Sequence, residues 1–210
     1  PAQVKEALAE LAEKDVEGLI LDLRNNSGGL VSSGLAVAND FLSNKTIVQT
    51  KNREGIRDAI PAGPETLYDG PMITLVNGGT ASASEILASA LQENGRSQLL
   101  GSTTFGKGLI QSLNNLSDGS GLAVTVASYL TPNGEDIQNH GITPDRELEM
   151  PEPISSGTVE DRWLQDAEIL MGATLDQKAL EELKEIEEEE KTRSELEFDK
   201  SKANETFLPA

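Results

Sequence analysis

Ser82 and Lys107 are the side chains through which this sequence could carry out nucleophilic chemistry. Ser82 lies in Gly79-Thr80-Ala81-Ser82-Ala83-Ser84-Glu85, at the start of a predicted helix. Two uses of that position are open. Ser82 and Glu85 have the spacing of a capping box, in which the hydroxyl only satisfies an orphan helix amide. The same position puts the hydroxyl at the positive end of a helix dipole, where a developing alkoxide is stabilised. The neighbouring Ala83 N–H would then point to where an oxyanion forms. A nucleophilic serine also needs a base. His140, the single histidine, sits in Asn139-His140-Gly141-Ile142-Thr143-Pro144 and reads as a surface turn. Lys107, between Gly106 and Gly108 and flanked by Phe105 and Leu109, is the alternative. A lysine acts as a base when its surroundings keep the amine neutral, and an apolar strand edge could do that. Read alone, the segment is better described as a surface loop with an ordinary lysine.

Other chemistries are closed off by residue types. There is no cysteine, so disulfides, thiolate-held zinc and thiol catalysis are excluded, and one histidine excludes a multi-His metal site within one chain. The segment Gly101-Ser102-Thr103-Thr104-Phe105-Gly106-Lys107-Gly108 approaches a phosphate-binding loop, but Gly108 replaces the hydroxyl residue that would hold magnesium. The strand-like Leu109-Ile110-Gln111-Ser112-Leu113 follows where that loop requires a helix. A formal net charge of −19 argues against nucleic acid and against an anionic lipid surface.

The elements that would position these residues follow from hydrophobic periodicity. Val4, Leu8 and Leu11 mark an amphipathic helix near the start. The run 18–23 reads as a strand covered on both faces, ending in the turn Arg24-Asn25-Asn26-Ser27-Gly28-Gly29. A second helix carries Leu35, Val37, Ala38, Phe41 and Leu42. Strands are predicted at Thr46–Thr50, Met72–Val76 and Gln98–Gly101, with the Ser82 helix over Ala81–Leu91. Leu109–Leu116 and Gly121–Tyr129 form a predicted hairpin. Alternation of strand and helix over the first 100 residues indicates an α/β layer fold, in which ligands gather where strand-end turns meet.

The chain divides by charge. Residues 1–146 hold 17 acidic and 10 basic side chains, whereas residues 147–210 hold 19 and 7. We read 1–150 as the core domain and 151–210 as an acidic helical extension, partly disordered, with helices over Val159–Met171 and Ala179–Leu196. No apolar run reaches the roughly 20 residues that span a bilayer. Pro1 opens directly in an amphipathic pattern with no export segment, which suggests a piece of a longer protein.

Five stretches in order, 18–30, 75–91, 101–113, 118–134 and 140–145, resemble the carboxyl-terminal processing peptidases, or tail-specific proteases, which are Ser–Lys endopeptidases. The resemblance covers nearly all of 1–145. It implies a crotonase- and ClpP-like core of stacked βαβ units. It implies Ser82 as nucleophile and Lys107 as base, with Gln111 positioning the lysine amine without adding a negative charge. The oxyanion donors would be the amides of Gly28 and Ala83. No metal or cofactor is required. Substrates would be protein tails bound as extended strands, with a homo-oligomer or an adaptor as further partners to consider. The resemblance also implies an exported location, periplasm or lumen, and an N-terminal helical region and PDZ domain ahead of this core. Competing readings are a non-catalytic peptide-binding or scaffold member of the same fold, and a small-molecule acyl hydrolase.

Overall fold

The structure is a computed structural model, and it describes residues 1–14, 16–55, 57–148 and 167–175. The elements in chain order are α1 (Ala2–Ala12), β1 (Leu19–Asp22), α2 (Val31–Asn39), β2 (Thr46–Asn52), β3 (Arg57–Pro61), β4 (Met72–Val76), α3 (Ala83–Glu93), β5 (Gln98–Gly101), β6 (Leu109–Asn115), β7 (Gly121–Leu130) and β8 (Arg146–Glu147). Among the described residues no helix is long and apolar enough to cross a membrane.

Two sheets divide the work. One is parallel throughout, in the order β1-β4-β5-β8. The other is antiparallel throughout, in the order β3-β2-β7-β6. The α/β class is as expected, and β4–α3–β5 is a βαβ unit in the strict sense. Every residue of β4 is buried, and its one polar side chain, Thr74, shares a hydrogen bond with the Ser97 hydroxyl at 2.8 Å. Helix α3 is buried from Ala83 to Leu91 and contacts α2, β2 of one sheet and β5 of the other. Small residues at Ala88, Ser89 and Ala90, all 0 % exposed, permit that close enclosure. Ile86 and Leu91 of α3 join Phe41, Ile47 and Leu99 in one hydrophobic core.

Three local differences from the sequence reading have physical causes. Phe41 and Leu42 lie beyond the end of α2, although both are buried. Tertiary packing rather than helical periodicity accounts for their apolar character. Strand β3 was not anticipated, because Arg57-Asp58-Ala59-Ile60-Pro61 is polar and ends in proline. It forms an outer strand of its sheet, where a missing N–H is tolerated. The two-residue β8 is too short to leave a periodic signal. Most of the expected extension 151–210 lies outside the described residues, including the helix over Ala179–Leu196. Residues 167–175 are helical, with Ala167 and Met171 buried.

Asp40, at the end of α2, is 2 % exposed and pairs with Lys5 of α1 at 3.7 Å. Its Oδ2 has no hydrogen-bond partner among the described residues. Burial pushes the carboxyl above its ordinary range and outweighs the attraction of Lys5. A carboxyl raised by folding contributes stability while protonated and loses it as pH rises through the folded value. Asp40→Asn should therefore melt at a higher temperature than the wild type at pH 7. The difference should shrink as the pH falls through the carboxylate range, which paired thermal melts would read.

Candidate active site

The site forms where three turns meet at the carboxyl ends of parallel strands β1, β4 and β5. The turns after β1 and β4 are stitched together. Asn77 Oδ1 accepts the N–H groups of Asn25 at 2.9 Å and Gly79 at 3.0 Å, and Asn77 Nδ2 donates to Asn25 Oδ1 at 3.1 Å. The Thr80 hydroxyl donates to the Leu23 carbonyl at 2.7 Å, and the Ala81 N–H donates to the Asn26 carbonyl at 3.0 Å. The third turn joins them through the Phe105 N–H, which donates to the Thr80 carbonyl at 2.9 Å.

Ser82 occupies the junction between this turn and α3, with φ of 57° and ψ of −120°. A non-glycine residue held there carries strain of about 1–3 kcal/mol, which the surrounding structure must impose. The capping spacing is realised, and the Ser82 N–H donates to Glu85 Oε2 at 2.7 Å. The Glu85 N–H donates to the Ser82 carbonyl oxygen at 2.9 Å, so that amide already has a backbone partner. The capping box places the Ser82 hydroxyl oxygen on the accepting side of the Glu85 N–H; an accepting oxygen keeps its own proton, so both uses of this position coexist.

Glu85 does far more than cap. It is 0 % exposed, and all four of its partners donate to it. Oε2 accepts the Ser82 N–H at 2.7 Å and the Lys107 N–H at 2.8 Å. Oε1 accepts the Gly106 N–H and the Thr104 hydroxyl, each at 2.6 Å. The Thr104 oxygen is itself acceptor for the Ile142 N–H at 2.7 Å, which directs its proton to Glu85. One buried side chain thus ties the backbone of Ser82 to the backbone of Lys107. Sequence reasoning treated Glu85 only as the far half of a capping box. Its partners at 104, 106 and 107 are distant in sequence and left no signal.

The Lys107 loop is held on its other side by residues 137–142. The Asn139 N–H donates to the Gly106 carbonyl at 2.9 Å, and the Gly108 N–H donates to Gln138 Oε1 at 2.9 Å. Gly106 and Gly108 are buried while Lys107 between them is exposed, so its side chain leaves the protein surface. The apolar enclosure expected around the amine is not formed by the described residues, because the loop turns Phe105 outward as well, at 65 % exposure. Gln111 is also exposed, on β6. The ladder irregularity opposite Ile110 and Gln111 places the extra residue on β7, so β6 keeps its alternation and Leu109, Gln111 and Leu113 share one face.

The structure brings Gly28 close to Ala83. A Cβ built on Gly28, whose φ is +85°, would lie 2.5 Å from the Ala81 carbonyl oxygen, 2.9 Å from the Ala83 nitrogen and 3.0 Å from Ser82 Cβ. Only glycine allows this approach. The Ala83 N–H is the first of α3 and has no intrahelical partner by position. Gly28→Ala should destabilise the protein by about 1–3 kcal/mol and lower any Ser82-dependent turnover about 100-fold. Thermal melts and steady-state rates would check both. His140 is exposed, with Nδ1 3.2 Å from the Asp136 carbonyl oxygen. It lines a cavity of about 550 Å³ with Gln92 and Glu93, at the opposite end of α3 from Ser82.

Fold and site together define an α/β protein that presents a strained serine at a strand-to-helix turn beside paired backbone amides and a loop lysine. Residues 1–148 match the family model described as Peptidase family S41. A carboxyl-terminal-processing protease of Synechocystis sp. is 54% identical over 149 residues, which cover 71% of this chain and 35% of that protein. A C-terminal processing peptidase, chloroplastic, of Tetradesmus obliquus is 47% identical over 149 residues, covering 70% and 32%. Among solved structures, a photosystem II D1 C-terminal processing protease superposes with a TM-score of 0.68 at 47% identity, covering 70% of this chain and 39% of that one. The chain belongs to peptidase family S41. It spans about a third of the length of the curated relatives it matches.

Proposed function

We propose that this chain carries the catalytic core of a serine endopeptidase that cleaves protein substrates at or near their C-termini, with Ser82 as nucleophile, Lys107 as base and Gln111 positioning the lysine amine. The observation that carries the reading is the Glu85 carboxylate, which holds the Ser82 and Lys107 backbones through one side chain at 2.7 and 2.8 Å. Family membership and the names of the relatives support the reaction class.

In the mechanism, neutral Lys107 takes the Ser82 hydroxyl proton as the oxygen attacks a peptide carbonyl carbon. The carbonyl oxygen becomes an oxyanion facing the Ala83 and Gly28 N–H groups. Collapse expels the amine, which takes the proton from the Lys107 ammonium, and leaves an acyl-enzyme. Water, deprotonated by the same lysine, then attacks the acyl carbonyl, and the Ser82 oxygen leaves with the proton returned by the Lys107 ammonium, releasing the new C-terminus. No metal or cofactor enters any of these steps. The exposure of Lys107 assigns a second task to the substrate. An extended peptide lying along the outer strand β6 would cover the face bearing Leu109, Gln111 and Leu113, and so desolvate the amine. The same reading implies an exported or luminal compartment.

A fluorophosphonate serine probe tests the assignment. Labelling should map to Ser82, should fall at least 100-fold in rate in Lys107→Ala, and should be competed by an unstructured polypeptide. Equal labelling of wild type and Lys107→Ala would overturn the dyad. Labelling with turnover of short esters but of no peptide would favour an acyl hydrolase.

A further inference from the structure

The two candidate oxyanion donors are not equivalent. The Ala83 N–H stands at the free start of a helix, whereas the Gly28 N–H is already engaged, donating to Asn26 Oδ1 at 3.1 Å. The acceptor is a carboxamide oxygen, chemically the same group as the peptide carbonyl that the reaction would bring to that N–H. Both residues lie in the turn that approaches Ser82, so closely that a Cβ built on Gly28 would lie 3.0 Å from the serine Cβ.

The rest of Asn26 is fixed by its backbone. Its N–H donates to the Leu23 carbonyl at 3.2 Å and its carbonyl accepts the Ala81 N–H at 3.0 Å. The side chain is therefore free to leave Gly28 without unpicking the turn, and its exposure lets water take over the released oxygen.

We propose that Asn26 is an internal surrogate for the substrate carbonyl: its carboxamide occupies the Gly28 N–H in the free protein and is displaced when a peptide docks at Ser82. This rests on the peptidase reading above. The exchange has a chemical logic. Swapping one neutral carbonyl for another at the same N–H changes little in the ground state. Once the substrate oxygen becomes an anion its bond to Gly28 strengthens, and the carboxamide can no longer compete. The Asn26 contact must be given up before the ground state and the transition state alike, so its cost falls on KM rather than on kcat.

Two variants in the 210-residue chain separate this from a role in bracing the turn. Asn26→Ala empties the donor, so KM for an unstructured polypeptide should fall about 3- to 10-fold with kcat within about 2-fold of wild type. Asn26→Asp preserves the acceptor and the turn but puts a carboxylate beside the developing oxyanion, and should lower kcat/KM at least 10-fold. A bracing role gives the opposite order, with alanine impaired and aspartate near wild type, and that result overturns the proposal, as do two variants that both match wild type. The Gly28 amide supplies a readout independent of turnover. Its hydrogen exchange should be slowed in the free wild type and accelerated in Asn26→Ala. A tripeptide aldehyde, which adds to Ser82, should restore protection in that variant. If cleavage does not depend on Ser82, the peptidase reading fails. Gly28 exchange in the unliganded chain then decides the Asn26 contact separately, and equal exchange in wild type and Asn26→Ala overturns it.

Discussion

Alanine at either Ser82 or Lys107 should lower kcat/KM for an unstructured polypeptide by about 10⁴- to 10⁶-fold, and the double variant should be no slower than the worse single one. In the proposed mechanism nucleophile and base act as one unit, so removing the second group after the first should remove nothing further. The residual rate should reflect the Gly28 and Ala83 amides and substrate binding alone. Lys107→Arg is the informative control. A guanidinium keeps the positive charge and much of the reach but stays protonated, so it cannot accept the serine proton and should be as inactive as alanine. Measurable rescue by arginine would mean that the lysine serves as a fixed charge rather than as a base. Both side chains lie outside the core, Lys107 being exposed, so melting temperatures should stay near wild type and the losses can be read as chemistry.

Glu85 should behave differently, losing stability and activity together. Glu85→Ala leaves the N–H groups of Ser82, Gly106 and Lys107 and the Thr104 hydroxyl without their acceptor inside the protein. The expected cost is about 3–5 kcal/mol, readable by denaturant unfolding. Glu85→Gln is the sharper probe, because its volume is unchanged. All four partners of Glu85 are donors, whereas a carboxamide offers one oxygen and one NH₂. Either Ser82 with Lys107, or Gly106 with Thr104, must then face a second donor. We expect a loss of about 2–4 kcal/mol. We also expect kcat to fall more than 100-fold at temperatures where the variant remains folded, since a 1 Å displacement between nucleophile and base can cost that much. A Glu85→Gln protein that is destabilised yet keeps wild-type kcat when folded would reduce Glu85 to a purely structural tie.

The division between sequence and tertiary structure is visible in particular residues. The apolar runs at β1 and β4, the helical period of α3 and the turn chemistry of Ser117–Ser120 are local signals, and the elements they mark are present. β3 and β8 were not legible, because their pairing partners rather than their own composition make them strands. Ser82 and Lys107 stood out by residue type and by five ordered stretches, but each had a plain local alternative that spacing could not remove.

What the sequence by itself determined was the list of groups available for chemistry. Without cysteine and with a single histidine in a turn sequence, lysine was left as the alternative base for the serine. What only the tertiary structure decided was how those groups are held. It converted Glu85 from a helix cap into a four-way acceptor and turned Lys107 outward between two buried glycines. The physical reason is directional: hydrogen-bond partners and the side of the chain facing solvent are set by three-dimensional approach between segments 20 to 60 residues apart, such as Ser82 with Lys107 and Leu23 with Thr80, and no local periodicity encodes that approach.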